Sequence, residues 1–131
     1  MSISPSNLLQ LSRVILATAN SEVEFRNAIG RAYYAAYHAA RAFHDSLPSP
    51  GELPSTRTGI HLELAYQLSR PTIAPTDPLF NKSRDLGRDL NWLHGKRIKS
   101  DYELHRTVTL SDAAAVVERA EAAIELIGAP K

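Results

Sequence analysis

The segment Ser21–Leu47, SEVEFRNAIGRAYYAAYHAARAFHDSL, predicts one long helix around which the rest of the chain is arranged. It contains no proline, and Ser21 with Glu24 forms a capping-box pattern, in which each side chain accepts a backbone N–H of the other residue. Apolar residues recur at alternating steps of four and three, the spacing of a buried helical seam. This seam comprises Phe25, Ile29, Ala32, Ala36, Ala39 and Phe43. Its alanines allow a neighbouring helix to approach closely.

A second stripe on the same helix is polar and aromatic. It comprises Arg31, Tyr34, His38 and Arg41. An imidazole beside a guanidinium group can transfer protons at a phosphodiester while the arginine holds phosphate oxygens, and a tyrosine can stack on a base. The stripe is equally compatible with an amphipathic helix whose tyrosines pack and whose arginines are solvated.

Composition predicts one domain, 1–131, that is long enough to bury its own core. A formal net charge of +1 gives no global attraction to nucleic acid or membrane. The window 82–99 nevertheless carries six cations and two acids, as expected either of a phosphate-facing surface or of a solvated helix face.

The absence of cysteine excludes disulfides and thiolate chemistry. No apolar run approaches the ~20 residues of a membrane span, and the N-terminus lacks a signal-peptide pattern. We therefore expect a cytoplasmic protein without membrane association. Zinc-protease, EF-hand and glycine-rich phosphate-loop motifs are also absent from the sequence, so we expect neither a metal site nor a cofactor.

The remaining helices are predicted from local start and stop signals. Proline follows a capping residue at 4–5 and at 77–78, where helices one and four should begin. Thr58 should cap the third helix, with Leu62 on its buried side, and Gly95 should break the fourth. A last helix follows residue 109, and the proline-rich segment 48–59 forms the longest connection. The fold class is all-α, an up-and-down antiparallel bundle of four to five helices.

The fourth helix carries two sets of candidate residues. Arg88 and His94 are six positions apart, about 120° out of alignment, so they share a site only if the helix bends or a second chain completes it. The alternative is that Arg88 pairs with a neighbouring aspartate on the surface. Arg97 and Asp101 are one turn apart and can form an ion pair, which either locks the end of the bundle or positions a cation at a groove between helices.

Two segments together resemble the HEPN-domain family of small stand-alone bacterial and archaeal proteins. These segments are RNAIGRAYYAAYHAARAF (Arg26–Phe43) and LHGKRIKSDY (Leu93–Tyr102). The resemblance implies a compact bundle that usually forms a homodimer, and often a toxin that partners a small nucleotidyltransferase antitoxin. Many HEPN proteins are metal-independent endoribonucleases, in which an arginine and a histidine direct attack of a ribose 2′-OH on the adjacent phosphodiester.

Three hypotheses for function follow. The first is a HEPN-type toxin or defence protein that cleaves RNA. Its catalytic residues would be Arg88, His94 and Arg97, and its binding residues Arg31, Tyr34, His38, Asp101 and Tyr102. The second is a non-catalytic HEPN module that binds a nucleotide, a nucleic acid or a partner nucleotidyltransferase, because Asp101-Tyr102 stands where the family's nucleases carry His-x-Tyr. The third is a purely structural dimer packed through Tyr33 and Tyr37.

Overall fold

A computed structural model describes residues 3–128 of the chain, which form helices and connections only. The helices are α1 (Pro5–Thr18), α2 (Glu22–Asp45), α3 (Ile60–Ser69), α4 (Pro78–Tyr102) and α5 (Leu110–Gly128). No strand occurs within the described range. The prediction of an all-α helical bundle is therefore confirmed. None of the helices in residues 3–128 combines the length and the apolar character needed to cross a membrane.

Helix α2 is the central element, since it packs extensively against α1, α4 and α5. Its predicted seam is buried from Ile29 to Phe43, and Phe25 is half-buried at the edge of the core. Further alanines, with Tyr33 and Tyr37, are buried beside this seam. Helix α2 is therefore enclosed on more than one face. Helix α3 packs mainly against α4 and touches α2 only slightly.

The capping residues are partly as predicted. Ser21 Oγ accepts from the backbone N–H of Glu24 at 3.4 Å, but the Glu24 carboxylate accepts from the N–H of Asn20 at 3.2 Å, one residue before the predicted donor. The prediction that Thr58 caps α3 is wrong. Instead the buried carboxylate of Glu63 accepts from the backbone N–H groups of Thr58 and Gly59, at 3.0 and 3.2 Å. One side chain within the helix thus satisfies two otherwise unpaired donors.

The expected break at Gly95 is also wrong, because α4 continues to Tyr102. A helical glycine costs only ~1 kcal/mol relative to alanine, and the contacts of α4 with three other helices outweigh that cost. Gly87 of the same helix has a clear structural role. A Cβ atom there would lie 2.5 Å from Ser69 Oγ and 2.7 Å from the Ser69 nitrogen. Gly87 thus allows the backbone of α3 to lie close to that of α4.

The C-terminal end of α4 is fixed by Arg26 of α2, whose side chain is largely buried. Its Nη1 donates to the carbonyls of Lys99 (3.2 Å) and Ser100 (2.7 Å), and its Nη2 to those of Glu103 (3.4 Å) and Arg106. Carbonyls at the end of a helix have free acceptor capacity, so this guanidinium group supplies donors to the last turn of α4 and to the chain that follows it. It also ties α4 to α2 near Arg97.

The connection from α2 to α3 is hydrogen-bonded to both helices. Its Gly51 donates its backbone N–H to His44 Nε2 at 3.0 Å, and its carbonyl accepts from Gln67 Nε2 at 3.0 Å. A Cβ atom on Gly51 would lie 1.9 Å from the Gln67 carbonyl oxygen, so only glycine permits this approach. These contacts position α3 beside α2.

Candidate functional site

A group of tyrosine, histidine and arginine side chains comes together where α2, α3 and α4 meet. We call it the Tyr–His cluster. Its members are Tyr33, Tyr34, Tyr37, His38 and Arg41 of α2, His61 of α3, and His94, Arg97, Asp101 and Tyr102 of α4. Tyr34 of the polar stripe predicted on α2 thus contacts Arg97 of α4, and α3 adds one histidine to the cluster.

Arg97 is the most constrained cation of the cluster, with a side chain that is 12% exposed. Its Nη2 donates to the Tyr34 hydroxyl at 3.0 Å, and its Nε donates to Asp101 Oδ2 at 3.1 Å. The guanidinium carbon also lies 5.1 Å from the ring centre of Tyr34, within the range of a cation–π contact. The predicted Arg97–Asp101 ion pair therefore exists, and it holds the cation against the tyrosines of α2.

His61 is oriented by Tyr33. The hydroxyl of Tyr33 and Nδ1 of His61 are 2.8 Å apart, and the tyrosine is completely buried. Burial holds the pKa of Tyr33 well above its usual range, so the phenol keeps its proton. The Tyr33 hydroxyl can therefore donate a hydrogen bond to an unprotonated Nδ1 of His61 or accept one when Nδ1 carries a proton, and Nε2 is the nitrogen that Tyr33 does not engage.

The imidazole rings of His61 and His94 stack on each other. Their centres are 6.1 Å apart with an angle of 28° between the planes, and both side chains are half-buried. Burial lowers the pKa of both histidines, and the positive charge of Arg97 lowers it further. Beside a fixed guanidinium group, a neutral imidazole can accept a proton and a protonated one can donate a proton near the oxygens of an anion held by that group.

The exposed edge of the cluster consists of His38, Asp101 and Tyr102, the last with 66% of its surface exposed. The ring of His38 stacks on that of Tyr34, with centres 6.3 Å apart. Arg31 is exposed one turn before Tyr34 on the same stripe of α2. The solvent-exposed part of the cluster thus includes aromatic rings, whereas His61 and His94 are half-buried.

Arg88 lies outside the cluster. Its Nη2 donates to Asp85 Oδ1 at 3.0 Å, and its side chain is exposed beside a separate groove formed with Tyr66 and Ser69 of α3. The surface ion pair that was the alternative interpretation of Arg88 is therefore present. The structure brings together all the other predicted site residues of α4, together with Tyr34 and His38, and it leaves Arg88 apart from His94.

Sequence reasoning missed three contributors. It did not select His61, and it assigned Tyr33 and Tyr37 to a dimer interface. That assignment is wrong, because both tyrosines are buried within the single chain, where the Tyr37 ring packs 4.5 Å from that of His61. The sequence did offer one signal that Tyr33 and Tyr37 are buried, because both lie beside the predicted apolar seam of α2. No periodic pattern marks His61, because its contacts depend on how α3 docks.

In the described part of the chain, no three histidine, aspartate or glutamate side chains are grouped so that they could hold a metal ion. Comparison of the whole chain with models of protein families, with curated proteins and with solved structures gives no significant match.

Proposed function

We propose that the protein is a HEPN-type toxin or defence protein that cleaves RNA by a metal-independent mechanism at the Tyr–His cluster. The observation that supports this proposal most is the stacked pair His61–His94 beside Arg97. A neutral imidazole can remove a proton, and a second, protonated imidazole can supply one. The planar guanidinium group of arginine can donate two parallel hydrogen bonds to phosphate oxygens. The cluster therefore combines three groups that RNA cleavage requires.

In the proposed reaction, His94 removes the proton of a ribose 2′-OH, and the 2′-oxygen attacks the adjacent phosphorus. The bond from phosphorus to the 5′-oxygen breaks, and His61 Nε2 donates a proton to that leaving oxygen. Arg97 stabilises the charge on the non-bridging oxygens. The products are a 2′,3′-cyclic phosphate and a 5′-hydroxyl end, and the two histidines exchange their protonation states.

The direct test is incubation of the purified protein with labelled single-stranded RNA and total tRNA in EDTA. We expect cleavage with 2′,3′-cyclic phosphate ends, and a loss of at least ~100-fold in rate for His94→Asn and Arg97→Gln. Arg84→Gln is the matched control, because Arg84 is an exposed cation of α4 that stacks on Phe80 outside the cluster. Absence of cleavage, or cleavage that survives His94→Asn, would contradict the proposal.

A non-catalytic binding module is the second candidate, and the Arg97–Asp101 ion pair favours it. Asp101 compensates the charge of Arg97 and occupies one of its donors, which reduces what that guanidinium group can offer a phosphate. On this alternative, calorimetry would detect binding of a nucleotide, an oligonucleotide or a small nucleotidyltransferase without turnover. Asp101→Asn would then strengthen anion binding, whereas an unchanged affinity would argue against it.

A homodimer remains part of the proposal, since the resemblance to HEPN proteins implies one. Helix α1 carries apolar side chains that are exposed in the single chain, Leu11 at 45% and Val14 at 52%. Covering such side chains removes apolar surface from water. Sedimentation equilibrium at tens of micromolar is the test. A monomer in that range would remove the dimer from the proposal while leaving the cluster of the single chain intact.

A further inference from the structure

Arg41 is the second cation of the Tyr–His cluster and lies on α2. It is half-buried on α2, its guanidinium carbon lies 5.8 Å from the ring centre of Tyr37, and its Nη2 donates to the Tyr37 hydroxyl at 3.3 Å. Within residues 3–128 it forms no ion pair. Arg97, by contrast, is paired with Asp101. Arg41 therefore keeps its full charge and most of its five N–H donors for a ligand.

The charge of Arg41 acts directly on the histidines of the site. It contributes to the lowered pKa of His61, whose principal cause is burial, and to that of buried His44. Arg97, His94 and His38 act on His61 in the same direction, and Asp45 opposes the effect at His44. The charges around His61 therefore disfavour its protonated form, and the same positive charges favour a bound anion.

The guanidinium groups of Arg41 (α2) and Arg97 (α4) lie against different tyrosines of α2. Arg97 lies over Tyr33 and Tyr34, whereas Arg41 lies over Tyr37, about one helical turn or 5.4 Å further along. The His61 ring packs against both Tyr33 and Tyr37, with centre distances of 5.6 and 4.5 Å. The two guanidinium groups are thus associated with opposite ends of the surface that His61 contacts.

We propose that Arg41 binds the phosphate next to the reacting one in a single-stranded RNA, so that the site recognises two consecutive phosphates. This inference rests on the proposed function, in which Arg97, His61 and His94 surround the reacting phosphate. A strand that follows the stripe of α2 from Tyr34, where Arg97 is bound, past exposed His38 then places its neighbouring phosphate at Arg41. The contribution of Arg41 to binding therefore depends on the length of the substrate. A dinucleotide with a single phosphodiester offers no phosphate to Arg41.

The test compares 2′-O-methyl dinucleotides, which the proposed reaction cannot cleave because the attacking hydroxyl is blocked. One ligand has a single phosphodiester, and two others carry an additional phosphate at the 5′ or the 3′ end, which adds charge without adding a base. Calorimetry should show that one phosphorylated form binds the wild type at least ~10-fold more tightly than the unphosphorylated dinucleotide, as one charge-assisted contact permits. Arg41→Gln should abolish this difference, with a much smaller effect on the affinity for the unphosphorylated ligand.

Arg41→Lys, which keeps the charge, should retain part of the difference, and Arg84→Gln should retain all of it. Thermal melting of each variant checks that the fold is intact. Equal affinity of wild type for all three ligands, or no binding of any, would overturn the inference. An Arg41→Gln effect of the same size on every ligand would overturn it too, since Arg41 would then hold the same phosphate as Arg97. RNA cleavage plays no part in this measurement, so failure to cleave would count against the proposed function alone.

Discussion

Arg97 combines three interactions that individually are modest. An ion pair at a partly exposed position contributes ~1 kcal/mol or less, a hydrogen bond from a charged donor ~1.5–3 kcal/mol, and a cation–π contact ~0.5–2 kcal/mol. Together, however, they restrict the guanidinium group to one position against Tyr34 and Asp101. The main consequence of this arrangement is electrostatic, because a fixed positive charge disfavours the protonated form of the neighbouring histidines.

Arg97→Gln should raise the pKa of both His61 and His94. Their pKa lies below the usual value of 6.5 because burial and then the charge of Arg97 disfavour the imidazolium, and the substitution removes only the second cause. NMR titration of the histidine ring protons measures both midpoints. We expect midpoints below pH 6.5 in the wild type and higher midpoints in the variant. His44, for which Arg41 and Asp45 are the charged neighbours, is the internal control, and unchanged midpoints at His61 and His94 would contradict the prediction.

The lowered pKa values of His61 and His94 also predict how any RNA cleavage depends on pH. The proposed reaction requires one histidine neutral and the other protonated, and both pKa values are lowered. The optimum of kcat/KM should therefore lie below pH 6.5, because above that pH neither imidazole carries the proton that the leaving group needs. Arg97→Gln would move whatever activity remains toward neutral pH. An optimum above pH 7 would contradict this assignment of the two histidines.

At the scale of the helices, two contacts with other elements fix the position of α4. Its end is held by Arg26 of α2, and its crossing with α3 depends on the close approach of its own Gly87 to Ser69. Both contacts place His94 and Arg97 relative to His61 and Tyr34. The geometry of the Tyr–His cluster is therefore also set by contacts that are not part of it.

Arg26→Met should destabilise the protein by about 2–3 kcal/mol, since carbonyl groups at the end of α4 lose a charged donor and methionine supplies none. Urea unfolding measures the loss, and hydrogen exchange should become faster at the amides that follow residue 99. Arg84→Met is the control, because Arg84 is exposed and stacks only on Phe80. A loss below ~0.5 kcal/mol for Arg26→Met would show that water replaces the guanidinium group at these carbonyls.

Two glycines of α4 should respond to alanine in opposite directions. Gly87→Ala places a Cβ atom 2.5–2.7 Å from Ser69 and should destabilise the protein by about 1–3 kcal/mol, because α3 and α4 must separate. At Gly95 no atom outside the helix lies within 4 Å of such a Cβ atom, so Gly95→Ala should stabilise by about 0.5–1 kcal/mol. Thermal unfolding of the two variants distinguishes them. A destabilised Gly95→Ala would indicate that this part of α4 needs the flexibility of glycine.

At the scale of the whole molecule, stability should decrease in mildly acidic solution. His44, His61 and His94 all have a pKa below 6.5 in the folded protein, chiefly because of burial. The unfolded chain binds protons at these residues first as the pH falls through 6.5, so the free energy of unfolding decreases from there toward the folded pKa values. Urea unfolding between pH 7.5 and 5.5 should show this decrease, and His61→Asn with His94→Asn should reduce its slope. A flat profile would contradict the prediction.

Local patterns determined a large part of the fold. The four-three spacing of apolar residues identified α2 and its buried seam, and the proline that follows Ser4 and Asp77 located the starts of α1 and α4. These predictions succeed because helix periodicity, capping and proline geometry act within one or two turns. For the same reason the polar stripe of α2 and the Arg97–Asp101 pair were recognisable, since each lies on a single helix.

Only the tertiary structure decided which of these elements meet. In the folded chain, His61 of α3 packs on the tyrosines of α2, and Glu63 rather than Thr58 caps the start of α3. Arg88 lies on the surface, where it pairs with Asp85. The physical reason is that burial and steric contact between helices depend on residues distant in sequence, such as Gly87 against Ser69 or Arg26 against the end of α4. The periodicity of one helix shows which face it can bury, whereas the identity of the side chain facing it depends on how the other helices dock.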